Sequence, residues 1–359
     1  MRSDGIGACA PYRRLHLCRH NLETINNTTS TTHKLLAEVC YAAKYEGQSL
    51  ITYHDKHQLT NKDSQLCTEL ARSFADIGDI VRGKDLYRGN NKRDKLEKQL
   101  QKYFNNIYEN LVREKSQAKD YYQDENGGNF FKLREDWWTA NRHTVWKAMT
   151  CSDDDNKLAG AHYFRATCDI NNEKGPSVAK DHCRCGDGDK PKSAKDGDVN
   201  IVPTYFDYVP QYLRWFEEWA EDFCRKKNKK IKDVKRNCRG QHKYGNERYC
   251  SRNGFDCERT IYKKGYFVID KGCINCLYAC NPYVEWIDKK KEEFEKQKKK
   301  YDEEMQKYEN GASSSSGGRA KRAAPSNINY EGYEKKFYDK LKGEYSDVNK
   351  FLEKLSNED

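Results

Sequence analysis

Fifteen cysteines constrain this 359-residue chain more than any other feature. They are Cys9, Cys18, Cys40, Cys67, Cys151, Cys168, Cys183, Cys185, Cys224, Cys238, Cys250, Cys257, Cys273, Cys276 and Cys280. The last three crowd into eight residues, "CINCLYAC". A structural zinc site needs a second knuckle at modest separation, and none follows. A thioredoxin-like redox pair needs a βαβ setting, which the surrounding sequence lacks. Cysteines scattered this widely suit a disulfide framework in an oxidising, extracellular compartment. All fifteen are candidates for it, and the odd count leaves one unpaired within the chain. "CINCLYAC" then reads as a staple, its cysteines pairing with different partners to clamp the helices on either side. Spacing alone does not reveal the connectivity.

The segments between the cysteines read as helices. Leu35, Leu36, Val39 and Ala43 share a face, and Gly47 is a candidate stop. Leu66, Leu70, Phe74, Ile77 and Val81 repeat at helical spacing before Gly83. A long helix is predicted over 92–122 on a stripe of Leu96, Leu100, Phe104, Ile107 and Leu111. Another spans 132–151, with Leu133, Trp137, Ala140 and Val145 or Trp146 inward. Periodicity vanishes over 151–204, where Asp, Gly, Lys and Pro dominate. The strongest helix follows, with Tyr212, Trp215, Phe216, Trp219 and Phe223 as its aromatic stripe and Pro210 at its first turn. Residues 238–282 read as cysteine-rich connection, and Pro282 as the start of another long helix to about residue 310. A last helix is predicted over 330–355. The expected class is all-α: a disulfide-stapled helical bundle in several subdomains, with long loops and little or no β. The expected organisation is an irregular N-terminal part (1–65), a middle bundle (66–204) and a C-terminal unit of long helices (205–359) with a flexible linker at 311–326.

Function classes narrow quickly. No G-x-S-x-G, Walker loop, G-x-G-x-x-G or H-E-x-x-H occurs, so no catalysis, cofactor or metal is expected. His54 and His57 read as polar surface. No apolar run approaches the ~20 residues of a membrane helix, and no signal peptide follows Met1. Asn26 and Asn27 each head a glycosylation sequon within a polar loop, and "RAKR" at 319–322 reads as an exposed, nickable loop. Charge is the informative feature. The chain carries +10, and residues 225–243 hold ten Lys or Arg against one Asp, nearly the whole excess. They are Arg225, Lys226, Lys227, Lys229, Lys230, Lys232, Lys235, Arg236, Arg239 and Lys243. One or two cations suit a helix C-terminus; ten suggest a polyanion site whose binding weakens with salt. Lys84, Arg88, Lys92 and Arg93 form a second candidate patch. In an oxidising compartment a sulfated glycan is the expected partner rather than nucleic acid. A zinc-stabilised nucleic-acid binder is the remote alternative, and counting free thiols under denaturing conditions separates the two.

Four blocks carry a resemblance: "ACAPYRRLHLC" (8–18), "LARSFADIGDIVRGKDLY" (70–87), "DWWTANRHTVWKAMTC" (136–151) and "DYVPQYLRWFEEWAEDFCRKK" (207–227). In order and over 8–280, they resemble the Duffy-binding-like domains of the malaria parasite. The likeness is to the alpha class, in the head structure of Plasmodium falciparum erythrocyte membrane protein one. The resemblance implies an all-helical fold in three subdomains tied by disulfides. It implies an adhesion module on the extracellular face of the infected red cell, without direct membrane insertion of this segment. Implied partners are host erythrocyte glycans or receptors: heparan sulfate or heparin, blood group antigens and complement receptor type one, in rosetting and cytoadhesion. Antibodies are a further partner, since these domains are variant antigens. The rival reading is an antigenically variable scaffold whose receptor contact lies in a neighbouring domain. In the family a short N-terminal segment precedes such a domain and a further Cys-containing stretch follows it, so the odd cysteine is expected to find its partner there. Ligand residues differ between family members, so the resemblance itself supplies no binding motif.

Overall fold

The computed structural model describes residues 7–18, 22, 32–59, 65–87, 92–122, 128–151, 157–168, 177–179, 181–185, 202–241, 247–257, 261–263, 266–268 and 273–313, with 339 and 350. Its helices are α1 (Tyr12–Leu15), α2 (Thr32–Gln58), α3 (Leu66–Arg82), α4 (Lys92–Glu114), α5 (Ala118–Tyr121), α6 (Phe131–Met149), α7 (Gln211–Cys238) and α8 (Ile274–Ser313). Two short antiparallel pairs are the only named strands among the described residues: β1 (Ala166–Cys168) with β2 (Ser177–Val178), and β3 (Ile261–Lys263) with β4 (Tyr266–Val268). The fold is all-α, as the sequence leads one to expect.

α3 is the axis of the main core. Its expected stripe of Leu66, Leu70, Phe74, Ile77 and Val81 is buried, and so is most of the rest of the helix. Small residues make that burial feasible. A Cβ on Gly78 would lie 2.7 Å from the Trp138 ring, so only glycine lets α6 approach this closely. Phe74 then sits between Trp138 and Trp146, each with its ring centroid 5.1 Å away. Leu96, Leu100, Phe104 and Ile107 of α4 close one side, with Phe104 edge-on to Trp137. α2 closes another, through Leu35, Val39 and Ala43. Residues on both sides of position 65 thus share one core.

α3 also buries Arg72, Asp76, Asp79 and Arg82. Buried charge is costly unless each group finds partners, and here the partners come from four other segments. Asp76 accepts from Arg13 of α1 at 2.7 Å, and from Arg214 and Gln211 of α7 at 2.9 and 3.1 Å. Asp79 binds Arg214 and Arg82. Asp207, in a 3₁₀ turn at Phe206–Tyr208, accepts from Arg142 at 2.7 and 2.8 Å and from Trp138 Nε1 at 3.0 Å. Its backbone carbonyl accepts from Arg82. Arg14 pairs with Asp85. This network fastens α1 and α7 to the main core.

α7 and α8 form an antiparallel pair. Contacts ascend one helix as they descend the other: Tyr212 with Tyr301, Phe216 with Phe294, and Phe223 with Trp286. A second core of Tyr212, Leu213, Trp215, Phe216, Trp219, Tyr301 and Met305 fills the seam, capped by Ala8–Ala10. The Cys238–Cys276 bridge locks its far end, and Cys250–Cys273 adjoins it. Two further bridges, Cys67–Cys183 and Cys168–Cys185, secure the segment between α6 and α7.

Several expectations are corrected. Gly47 does not stop α2, which continues to Gln58. A Cβ there would meet the Met149 carbonyl oxygen at 2.0 Å, so this glycine serves close helix approach rather than termination. Gly47→Ala should therefore force α2 and α6 apart and cost about 1–3 kcal/mol, read from the urea midpoint. A loss of only a few tenths would disprove that contact. The helix expected over 92–122 breaks after Glu114 and resumes at Ala118, because the apolar stripe lapses for a turn after Leu111. Pro282 does not open the last long helix but lies inside it, two turns beyond Ile274. The bridges at Cys273 and Cys276 hold those two turns against their neighbours and offset the hydrogen bond that proline removes.

The cysteines pair less completely than the expected framework of seven bridges. Eight form four disulfides, while Cys9, Cys18, Cys40, Cys151, Cys224, Cys257 and Cys280 are free thiols. "CINCLYAC" does staple, through Cys273 and Cys276, but not through Cys280. None of these seven is bonded to another cysteine. Burial pushes the thiols of Cys9, Cys18 and Cys40 up to about 11, which keeps them protonated and unreactive. The helix expected over 330–355, the linker beyond Ser313, "RAKR", Asn26 and Asn27 lie outside the described residues.

Candidate polyanion interface

α7 changes character halfway along. Up to Phe223 its inward face is aromatic; beyond it the side chains are mostly cations. At 100° per residue, Lys229, Lys232 and Arg236 fall in one row along the outer face, spanning roughly 10 Å, and Arg239 caps the helix in an extended conformation just beyond it. Lys235 stands beside that row. All five are exposed.

Local partners divide the basic run. Arg225 and Lys226 share Asp222, at 2.5 and 2.6 Å. Arg236 lies 3.7 Å from Asp233. Arg239 donates to the carbonyls of Cys238 and Cys250, at 2.9 and 3.0 Å, so the disulfide knot orients it. Lys227 and Lys230 lie over the rings of Phe223 and Trp286. Lys229, Lys232 and Lys235 make no ion pair among the described residues, and they supply the unneutralised charge. Lys243 lies outside the described residues.

Of the second expected patch, only the Lys84 side chain lies among the described residues. Lys84 is held at 2.9 Å by Glu135, which Arg82 also contacts at 3.1 Å. Burial works to raise the Glu135 carboxyl, but Arg82 and Lys84 outweigh it and hold it low. Arg88 and the side chains of Lys92 and Arg93 lie outside the described residues, although the backbone of the latter two opens α4.

Sequence reasoning missed Trp286 and Tyr283, which extend the α7 aromatic stripe onto α8. Their i, i+3 spacing in "NPYVEW", facing a known aromatic stripe, is the signal that could have found them. Only one group of described residues has metal-ligand character: Cys250, Asp256 and Cys273. Its two sulfurs are bonded to each other, leaving Asp256 as the only donor, so the group does not suit zinc. No described helix is long and apolar enough to cross a membrane.

The Duffy binding domain family matches residues 7–214, and the C-terminal subdomain of Duffy-binding-like domains matches residues 218–359. The chain belongs to the Duffy-binding-like family. It is 40% identical to the NTS-DBL1(alpha-1) domain of Plasmodium falciparum membrane protein 1 from the varO strain. That match covers 99% of this chain and 71% of the other, with a TM-score of 0.71, and it supports the alpha-class assignment. The ICAM-1-binding DBLbeta domain of PfEMP1 IT4var13 is 27% identical, over 94% of this chain and 64% of that one, with a TM-score of 0.60. The Duffy receptor of Plasmodium vivax is 24% identical over 296 residues, 80% of this chain. The chain spans about a fifth of the length of the curated relatives it matches (20% of the Plasmodium vivax receptor). Duffy-binding-like domains are receptor-binding adhesion modules, not enzymes. The boundary between the two matched regions falls within the aromatic half of α7, between residues 214 and 218.

Proposed function

We propose that this chain is an extracellular adhesion domain displayed on the infected erythrocyte, binding host red-cell receptors or glycans in rosetting and cytoadhesion. A sulfated glycosaminoglycan of the heparan sulfate or heparin type docks along the outer row of α7. The observation that carries this reading is the group of exposed, unneutralised cations at Lys229, Lys232 and Lys235, extended by Arg236 and Arg239. A linear polyanion meets such a row at successive charges and releases counterions as it binds. Blood group antigens, complement receptor type one and antibodies are partners for other surfaces of the same domain. The family relationship supports the adhesive role, since its relatives include a Duffy receptor and an ICAM-1-binding domain.

Heparin affinity chromatography tests the site. Lys229→Glu, Lys232→Glu and Lys235→Glu combined should elute at markedly lower salt than the parent chain. The dependence of log affinity on log salt should flatten by roughly 0.7–0.9 per lost contact. Unchanged retention would remove the glycan from this face and favour the rival reading, a variable scaffold whose receptor contact lies in a neighbouring domain.

A further inference from the structure

Charge explains the lysines of α7 but not the rings beside them. Trp219, Phe223 and Trp286 form a ladder across the α7–α8 seam. Their rings lie 5.3 and 5.5 Å apart and within 3° and 11° of parallel. Tyr283 continues it, 6.2 Å from Trp286 at 30°. An ammonium group stands over each of three rungs: Lys290 over Trp219 at 5.7 Å, Lys227 over Phe223 at 5.9 Å and Lys230 over Trp286 at 5.6 Å. The ladder begins in the core, where Trp219 is 4% exposed, and comes partly to the surface at Trp286 and Tyr283. Trp286 is unusual in this respect. The other five tryptophans are at most 5% exposed.

A partly exposed aromatic ring with an ammonium group over it selects for more than charge. Polyphosphate offers anions but no apolar face. A sulfated sugar offers both in each unit: the C–H face of the pyranose lies on an aromatic ring, and the sulfate meets a lysine. Lys227 and Lys230 stand on the α8-facing side of α7, and Lys229 and Lys232 lie within one turn of them on its outer face, so a chain of several units that curves round the helix can reach both. We infer that Trp286 and Tyr283, flanked by Lys227 and Lys230, form a sugar-stacking subsite that makes the α7 face selective for sulfated polysaccharide over polyanions without carbohydrate. This rests on the polyanion reading above and adds its specificity.

Tryptophan fluorescence provides a test on the unaltered chain. A heparin-derived oligosaccharide should shield Trp286 from acrylamide quenching; inorganic polyphosphate, bound at equal saturation, should not. In direct binding, Trp286→Leu and separately Tyr283→Leu should each weaken the oligosaccharide on the order of ten-fold, as loss of one stacked ring does elsewhere. Polyphosphate affinity should stay within about two-fold. Tyr283→Leu, at the surface end, keeps the test decisive if Trp286→Leu disturbs folding, with far-UV circular dichroism as the check. Equal losses for both polyanions, no loss for either, or equal shielding by both would overturn the subsite while leaving the lysine row intact. Failure of the parent chain to bind either polyanion would overturn both readings.

Discussion

Asp207→Ala should destabilise the protein by about 3–5 kcal/mol, the cost of leaving a buried charge without its partner. The Asp207 carboxylate neutralises Arg142 through two hydrogen bonds and accepts the indole N–H of Trp138, and Asp207, Arg142 and Trp138 are all buried. After the substitution Arg142 keeps one hydrogen bond, to the Thr204 carbonyl at 2.8 Å, beside its contacts with the Phe74 and Tyr208 rings, and the indole donor loses its acceptor. Such a loss is a large fraction of the 5–15 kcal/mol typical of a folded domain. It should appear as a lowered urea midpoint, with Asp207→Asn losing less because the amide still accepts hydrogen bonds. A change under about 1 kcal/mol would show that the network does not hold α7 to the core. The pH dependence has a definite sign. Burial acts to raise the Asp207 carboxyl, but Arg142 and Arg82 outweigh it, so the folded-state pKa lies below the ordinary value. Its contribution is therefore complete above the unfolded value of about 4 and declines as pH falls through the folded one. The difference between wild type and Asp207→Ala should shrink only in acid.

Removing the Cys67–Cys183 bridge with paired serine substitutions should cost about 4–5 kcal/mol. By chain entropy, the cost rises with the length of the closed loop, and this bridge joins residues 116 apart. Cys168–Cys185 closes only 17 residues and should cost about 3 kcal/mol by the same relation. The order of the two losses is the discriminating result. The long bridge also fixes the position of Cys183, whose carbonyl accepts from Trp146 Nε1 at 2.9 Å. Its loss should therefore loosen the tryptophan cluster around Phe74 and alter near-ultraviolet circular dichroism. If the two variants unfold at the same denaturant concentration, loop entropy is not what these bridges supply. Under reducing conditions, which open all four bridges in wild type and the other three in the double variant, the two should converge.

Most of the secondary structure was legible because helical periodicity is written into neighbouring residues. The α3 stripe from Leu66 to Val81 and the left-handed stop at Gly83 appear as the sequence implies. The α7 aromatic stripe is equally direct. Where reading failed, a distant segment had overridden a local preference. Gly47 resembles a stop until the Met149 carbonyl is placed beside it, and Pro282 resembles a start until Cys276 is tied to Cys238. The candidate site divides in the same way. The concentration of charge in 225–243 is plain in the sequence, but its neutralisation at Arg225, Lys226 and Arg236 depends on side-chain geometry. Trp286 meets the α7 aromatic stripe only because α8 runs antiparallel to α7.

By itself, then, the sequence determined the helical class, a disulfide-bearing chain, the location of nearly all its excess charge and its family. These are properties of residue type and of spacing along the chain. The tertiary structure decided which eight cysteines pair, which lysines remain unneutralised and which rings stand beside them. A disulfide requires its two Cα atoms within about 4.4–6.8 Å, and an ion pair requires comparable proximity. Those distances arise only when segments far apart in sequence are packed together, as Asp207 and Arg142 are across 65 residues.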